Sequence, residues 1–362
     1  MNNLPYKFML KPDFTKVSEL FYNELQESAK GEKTQLLFVK TYLPQKPIIT
    51  AGTIQVVVLG GTNYDFAVVE IRENGEKTIL LREKGKLPTL NSAEAFTSLL
   101  DMHLTTKVDG IALNLGFPLS YFKGEKGQPD GTFIKAIKAH SLHGLLGHKI
   151  GEIVLDRYIR KHTAYATVSV ANDAVCLAQD DAGLILGTGL NIGIKGEDEN
   201  GVYVINLEAG NANAYETNQE LESIDKQSVN PGIHRFEKLV SGYYLPLHFN
   251  LLAKKNAIEV RVTKAEELAE LASTNSETAG ELARELFDRS AKYVAAQIAG
   301  LYTFKDSPEK FVVTAEGSLF HYGYKYQKTL QQGLIELGIS NESVTFHTMK
   351  DSSLYGALRL LM

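Results

Sequence analysis

The stretch TIQVVVLGGTNYDFAVVEI, residues 53–71, decides the fold. A run rich in β-branched residues meets Gly60 and Gly61, passes Thr62 and Asn63, and becomes a second run with alternating apolar positions. That pattern predicts a β-hairpin whose two glycines are the central turn residues and supply positive φ angles. It is equally the pattern of a loop whose bare amides approach a phosphate. The strand leading in, through Val56, Val57 and Val58, carries no charge.

Outward from the hairpin, residues 13–30 place Val17, Leu20, Phe21 and Leu25 on one helical face, with Gly31 positioned to end the helix. KTYLPQKPIITAG, residues 40–52, reads as an extended connector. Asn91 and Glu94 have the spacing of a capping box at the start of the next helix. The strand GIALNLGFP (110–118) follows, and a helix from 147 to 161 with Ile150, Ile153, Val154 and Ile159 leads into the strand AYATVSVAND (164–173). Strand, helix, strand in that order predicts an α/β sheet. Two more hairpin-like strands come next, GLILGTGLNIGI (183–194) and GVYVINLEAG (201–210). Residues 236–304 are mostly helical, after which strand, helix, strand and helix alternate to residue 362. Glycine hairpins thus occur twice, each followed by α/β units, and two related halves are expected.

Composition bounds the function. A chain of 362 residues exceeds what one core usually organises, so two domains are expected. With 44% hydrophobic and 22% charged residues it is globular, and a net charge of −5 argues against a nucleic-acid surface. Cys176, the only cysteine, can form no intramolecular disulfide and belongs to no zinc-binding cluster, which fits a reducing compartment. The start MNNLPYKFMLKPDF lacks a basic segment followed by an apolar one, and no run of about 18 apolar residues exists. A cytoplasmic protein is expected, with small molecules or proteins rather than nucleic acid or membrane as partners; homo-oligomerisation stays open.

Each candidate motif has a dull reading. LGGTN needs no ligand to be a hairpin turn, and GTG at Gly187, Thr188 and Gly189 shares that ambiguity. Asn172 or Asp173 in AND is an ordinary helix cap, or Asp173 is a general base at a strand end. Lys138 reads alone as a solvated helix lysine. Glu208 closes an apolar strand and must find donors, while Glu237 suits the first turn of a helix.

The order of these motifs is more specific than any of them. A glycine hairpin, GFP, a lysine-bearing segment, ND at a strand end, GTG, a strand-terminal glutamate, NPG with FEKLVSG, and EGSLF before a C-terminal helix follow one another as in hexokinases. The chain resembles that family from Gly60 to its last helix. The cysteine-rich zinc motif of the related repressor and kinase group is absent.

The resemblance implies an actin-like ATPase fold, of ribonuclease H-like α/β domains hinged over a cleft that closes on sugar and nucleotide. By that likeness residues 50–172 with 351–362 form the smaller domain, and 1–49 with 173–350 the larger. It further implies ATP with Mg2+ as phosphoryl donor and a glucose-like hexose as acceptor at its primary hydroxyl. Asp173 falls on the general base and Lys138 on the lysine that contacts sugar and developing charge. Asn172, Asn191, Glu208 and Glu237 fall on sugar ligands. Gly60, Gly61, Thr62 and Asn63, with Gly187, Thr188 and Gly189, fall on phosphate loops, and Gly317 and Ser318 on the adenosine side.

Departures from the family pattern are concentrated in the opening stretch. Val58 stands where hexokinases have an aspartate that helps position magnesium, and Asp65 stands where they have an arginine. If Gly60 and Gly61 are the central turn residues, Asp65 lies diagonally from Val58 on the same face and is expected to reach the metal's water shell. Gly116 and Ile137 replace hydroxyl residues, and His234 replaces a glutamine, which loosens sugar discrimination. Two main readings follow: an ATP-dependent hexose kinase, or a catalytically impaired sugar-binding regulator on the same fold. A polymerising actin-like protein would leave Glu208 and Glu237 at sugar positions unexplained.

Overall fold

The structure, a computed structural model, describes residues 7–135, 140–274 and 277–362. The chain divides into two compact units. One holds the chain up to Phe38, Leu184–Ile192 and Leu207–Thr348; the other holds Val39–Gly183, Gly193–Asn206 and Met349–Met362.

The opening stretch is a hairpin in the second unit. Strands Gly52–Leu59 and Asn63–Ile71 pair antiparallel, with Val58 opposite Asp65 and Leu59 opposite Tyr64. Gly60 N–H donates to Asn63 O at 3.0 Å, so the central turn residues are Gly61 and Thr62 rather than the two glycines. None of Gly60, Gly61 and Thr62 takes a positive φ. The sequence-based register is therefore displaced, and Asp65 faces Val58 directly instead of diagonally.

Five strands form the sheet, in the order Lys77–Lys86, Asn63–Ile71, Gly52–Leu59, Gly110–Leu115 and Thr167–Asn172. The first three are antiparallel neighbours and the last three run parallel. Every residue of Gly110–Leu115 and Thr167–Asn172 is buried, as expected of parallel strands covered on both faces. Val57, Leu59, Ile111 and Leu113 share an apolar layer with Phe96 and Leu100 of helix Ala93–His103 and with Val154 of helix Ile150–His162. Ile54, Val56, Ala67 and Ala112 lie in a second layer with Leu354, Ala357 and Leu358 of helix Ser352–Leu358.

That last helix is fixed by polar contacts as well. Asn114 Nδ2 donates to Ser353 O at 3.0 Å, and Arg359 Nη2 to Val175 O at 3.2 Å and Ala178 O at 3.0 Å. Gly356 lies against the Cys176 carbonyl with no room for a Cβ.

Two local expectations are corrected. Helix Ala93–His103 is capped by Ser92, whose Oγ accepts from Ala95 N, while the Asn91 carbonyl receives His143 N and Ser141 Oγ. The supposed connector begins with a strand, Val39–Tyr42, paired antiparallel with Gly201–Asn206 and secured by Lys40 and Tyr42, each 2.8 Å from Asp198.

The first unit is built on the 27-residue helix Thr278–Phe304, most of which is buried. Helices Phe14–Ala29 and Tyr326–Glu336 pack on it, and strands Phe311–Glu316 and Val344–His347 run parallel beside the part of strand Ala182–Leu186 in this unit. His248, on helix Leu245–Lys255, is fully buried, and its Nε2 donates to Lys238 O at 2.8 Å. Burial first, and then the nearby Arg289 charge, pull its pKa down to about 3. The unfolded chain therefore binds a proton that the folded chain refuses as pH drops below about 6.5, and stability should fall by about 1.4 kcal/mol per pH unit over that window. Urea titrations of the protein and of His248→Gln at about pH 7 and about pH 4.5 measure this, the variant being expected to show the shallower pH dependence.

Candidate functional site

The polar residues singled out in the sequence gather in two groups, one in each unit. In the second unit the C-terminal ends of two neighbouring parallel strands lie side by side, Leu115 paired with Asn172. Ligands of open α/β sheets bind outside such carboxyl ends. Asn172 joins them: Nδ2 donates to Leu115 O at 3.3 Å and Phe117 O at 3.0 Å, and Oδ1 accepts from Ala174 N at 2.9 Å. It thereby caps the short helix Asp173–Leu177, with Asp173 as the first helical residue.

The hairpin turn comes to the same place. Gly116 N–H donates to Leu59 O at 2.7 Å, and a Cβ on Gly116 would stand 3.1 Å from Asp173 Oδ2 and 3.3 Å from Gly60 Cα. A glycine at 116 thus lets the Asp173 carboxylate and the Gly60 turn approach each other. Thr62 and Asn63 complete the exposed turn and bond to one another, Nδ2 to Oγ1, at 3.2 Å. Lys138 and Ile137 lie outside the described residues.

Asp65 is engaged elsewhere. Its two oxygens receive Arg82 Nε at 3.0 Å and Arg82 Nη2 at 2.6 Å, and Lys84 Nζ stands 3.3 Å away. Arg82 Nη2 also bonds Asp351 Oδ1 at 2.6 Å. A bidentate arginine occupies the carboxylate that the sequence reading directed toward a metal's water shell, so that expectation is withdrawn. Among the described residues no group of three His, Cys, Asp or Glu side chains is arranged to hold a metal ion.

In the first unit Asn191, Glu208 and Glu237 come together from three distant segments. Asn191 Oδ1 accepts from Ile192 N at 2.7 Å and Ala209 N at 3.3 Å, and Nδ2 donates to Glu208 Oε1 at 3.4 Å. Glu237, in the first turn of helix Arg235–Val240, accepts Leu190 N through Oε2 at 3.0 Å. Gly210 permits this closeness, since a Cβ there would lie 3.0 Å from Glu237 Cβ and 3.1 Å from Leu190 O. Glu208 itself sits in the left-handed region at φ 50°, which costs a non-glycine residue about 1–2 kcal/mol and points to a constrained site.

The Gly187–Gly189 turn is closed by Gly187 N donating to Gly189 O at 3.0 Å, with Gly242 N donating to Gly187 O at 2.8 Å. Thr188 is at its tip. A Cβ on Gly187 would be 3.3 Å from Ser318 N, so this turn adjoins Gly317 and Ser318. Gly317, at φ 121°, presses against Leu186 O where no side chain fits.

Several supporting residues escaped the sequence reading. Lys238, fully buried, donates to Asp225 Oδ1 at 2.6 Å and to Asn230 O at 2.8 Å. Asp225 also accepts Gly232 N at 3.0 Å through both oxygens, which binds the NPG loop to the helix that carries Glu237. Gln297 Nε2 donates to Ala209 O at 3.1 Å, beside Glu208. The signal in the sequence for Lys238 and Asp225 was a charged residue placed where a core residue belongs, and for Gln297 a polar residue within an otherwise apolar helix face.

Comparison with known proteins gives a consistent likeness. A family model described as hexokinase matches residues 181–276 and 253–361. Hexokinase of Schistosoma mansoni is 29% identical over 61% of this chain and 56% of its own length. Mus musculus hexokinase-3 is 26% identical over 67% of this chain but 29% of its own, so the chain spans about half or less of these relatives. Hexokinase-7 of Oryza sativa subsp. japonica is 26% identical across 90% of this chain and 87% of its own. Among solved structures, hexokinase from Schistosoma mansoni complexed with glucose superposes with a TM-score of 0.80 at 20% identity, covering 96% of this chain and 94% of that one. A ROK family glucokinase from Streptomyces griseus in complex with glucose and AMPPNP gives 0.57 at 18% identity, over 85% and 99%. The shared fold is that of two-domain, actin-like sugar kinases.

Proposed function

Because the chain belongs to the hexokinase family, we propose that it transfers the γ-phosphoryl group of ATP to the primary hydroxyl of a hexose. The observation that carries this reading is the gathering of Asn191, Glu208 and Glu237, a set of acceptors and an amide suited to gripping vicinal hydroxyls with directional bonds. Asn172, at the sheet end of the other unit, is read as a sugar ligand by the same family likeness.

In this mechanism Asp173 accepts the proton of the hydroxyl as its oxygen bonds to the γ-phosphorus. The bond from that phosphorus to the β–γ bridging oxygen breaks and ADP leaves. Lys138 neutralises charge on the transferring group. The amides of Gly60–Asn63 and of Gly187–Gly189 receive phosphate oxygens, and Gly317 and Ser318 border the adenosine. Mg2+ enters as part of the MgATP substrate, with phosphate oxygens among its ligands. The domains of this reading are 50–172 with 351–362, and 1–49 with 173–350, a division that differs from the two compact units, which keep Val39–Gly183 and Gly193–Asn206 together; the setting is cytoplasmic.

Val58 and the Asp65–Arg82 pair favour a second reading, a sugar-binding regulator with impaired turnover. Purified protein with MgATP and glucose, mannose or fructose, assayed by coupled ADP release, decides between them. Hexose-dependent ADP release is the expected result. A hexose that raises Tm without ADP release would establish the regulator instead.

A further inference from the structure

Two strained turns flank the carboxylates of the first unit. Glu208 lies at φ 50°, ψ 49°, and His234, which opens the helix bearing Glu237, lies at φ 53°, ψ 39°. Non-glycine residues persist in that region only where their surroundings over-determine them.

Asn211 stands between the two. Its N–H donates to Glu208 O at 2.9 Å, and its Nδ2 donates to the same carbonyl at 3.3 Å. Its Oδ1 accepts His234 N–H at 3.2 Å. A carbonyl can only accept and an amide N–H can only donate, so the partners themselves fix which way the Asn211 amide points. One side chain therefore fastens the turn that carries Glu208 to the turn that launches Glu237. Asn211 is half-buried, and its replacement opens no core cavity.

We propose that Asn211 is a positioning residue of the sugar site, setting the separation of Glu208 from Glu237 and through it the affinity for hexose. The proposal rests on the reading of those carboxylates as sugar ligands. Alanine at 211 keeps the backbone bond to Glu208 O and removes the tie to His234, so the two turns lose the side-chain link between them while the packing of Gly210 on Glu237 stays. Aspartate keeps an acceptor for His234 N–H. Catalysis at Asp173, which belongs to the other unit, is not part of this tie.

The test is calorimetric titration of wild type, Asn211→Ala and Asn211→Asp with glucose, mannose and fructose, beside steady-state kinetics and thermal melts. In Asn211→Ala the hexose Kd and KM should rise about tenfold, the equivalent of one lost hydrogen bond. The MgATP KM, kcat and Tm should hold close to wild type, and Asn211→Asp should recover most of the affinity. Unchanged hexose affinity in the alanine variant would overturn the proposal. So would equal rises in both KM values, or a fall in Tm that tracks the affinity, since either marks a general structural role. If the wild-type protein binds none of the three sugars, the sugar-site reading itself fails, and this proposal with it.

Discussion

Asp173→Ala is expected to lower hexose-dependent turnover by about 10²- to 10⁴-fold, the contribution of a positioned general base, with hexose affinity nearly unchanged. The structure makes this a clean experiment. Ala174 N–H donates to both Asp173 Oδ1, at 2.8 Å, and Asn172 Oδ1, at 2.9 Å, so the helix start keeps its cap when Asp173 is removed. Asp173→Asn should fall as far, because it keeps shape and loses the proton acceptor. Coupled ADP release measures kcat, and sugar-dependent thermal shift measures binding. Turnover that survives both substitutions would move the base elsewhere and remove the centre of the proposed mechanism.

Lys238→Met should be the most damaging of the single changes to stability. Lys238 is fully buried and Asp225 nearly so, and removing the lysine strips the buried carboxylate of its 2.6 Å partner and leaves Arg235 Nε, 3.9 Å away, as its counter-charge, at about 3 kcal/mol. That corresponds to a fall in Tm on the order of 10 °C. Asp225→Asn in the same chain retains an acceptor for Gly232 N and removes the stranded charge, so the double variant should regain most of the loss. The cycle of singles and double gives the coupling energy. Additive losses would mean that packing, rather than the ion pair, holds the NPG loop.

Much of this was legible in the sequence, for identifiable reasons. Period-two alternation around Gly60 fixed the presence of the hairpin, and apolar spacing of 3.6 found the helices. The register was not legible, because any turn centred on residues 60 to 62 satisfies the same alternation and only Gly60 N to Asn63 O settles it. Strand Val39–Tyr42 is four residues long, just short of two prolines, and its partner lies some 160 residues on, so no local pattern announces it. Of the site residues, Asp173, Asn191, Glu208 and Glu237 were visible through motif order, and the structure brings the last three together. Asn211, Asp225 and the Asp65–Arg82 pair were invisible, since each acts across a loop or an exposed strand whose geometry the sequence does not state.

The seating of helix Ser352–Leu358 has a consequence for synthesis. The first glycine hairpin leaves the ribosome early, yet the apolar side formed by Ile54, Val56 and Ala67 is sealed by Leu354, Ala357 and Leu358, which are made some 280 residues later. Domains that complete early can fold as the chain emerges, but this one must wait with one sheet face uncovered. The nascent protein therefore carries an incompletely covered apolar sheet face through most of its elongation, until the last helix arrives.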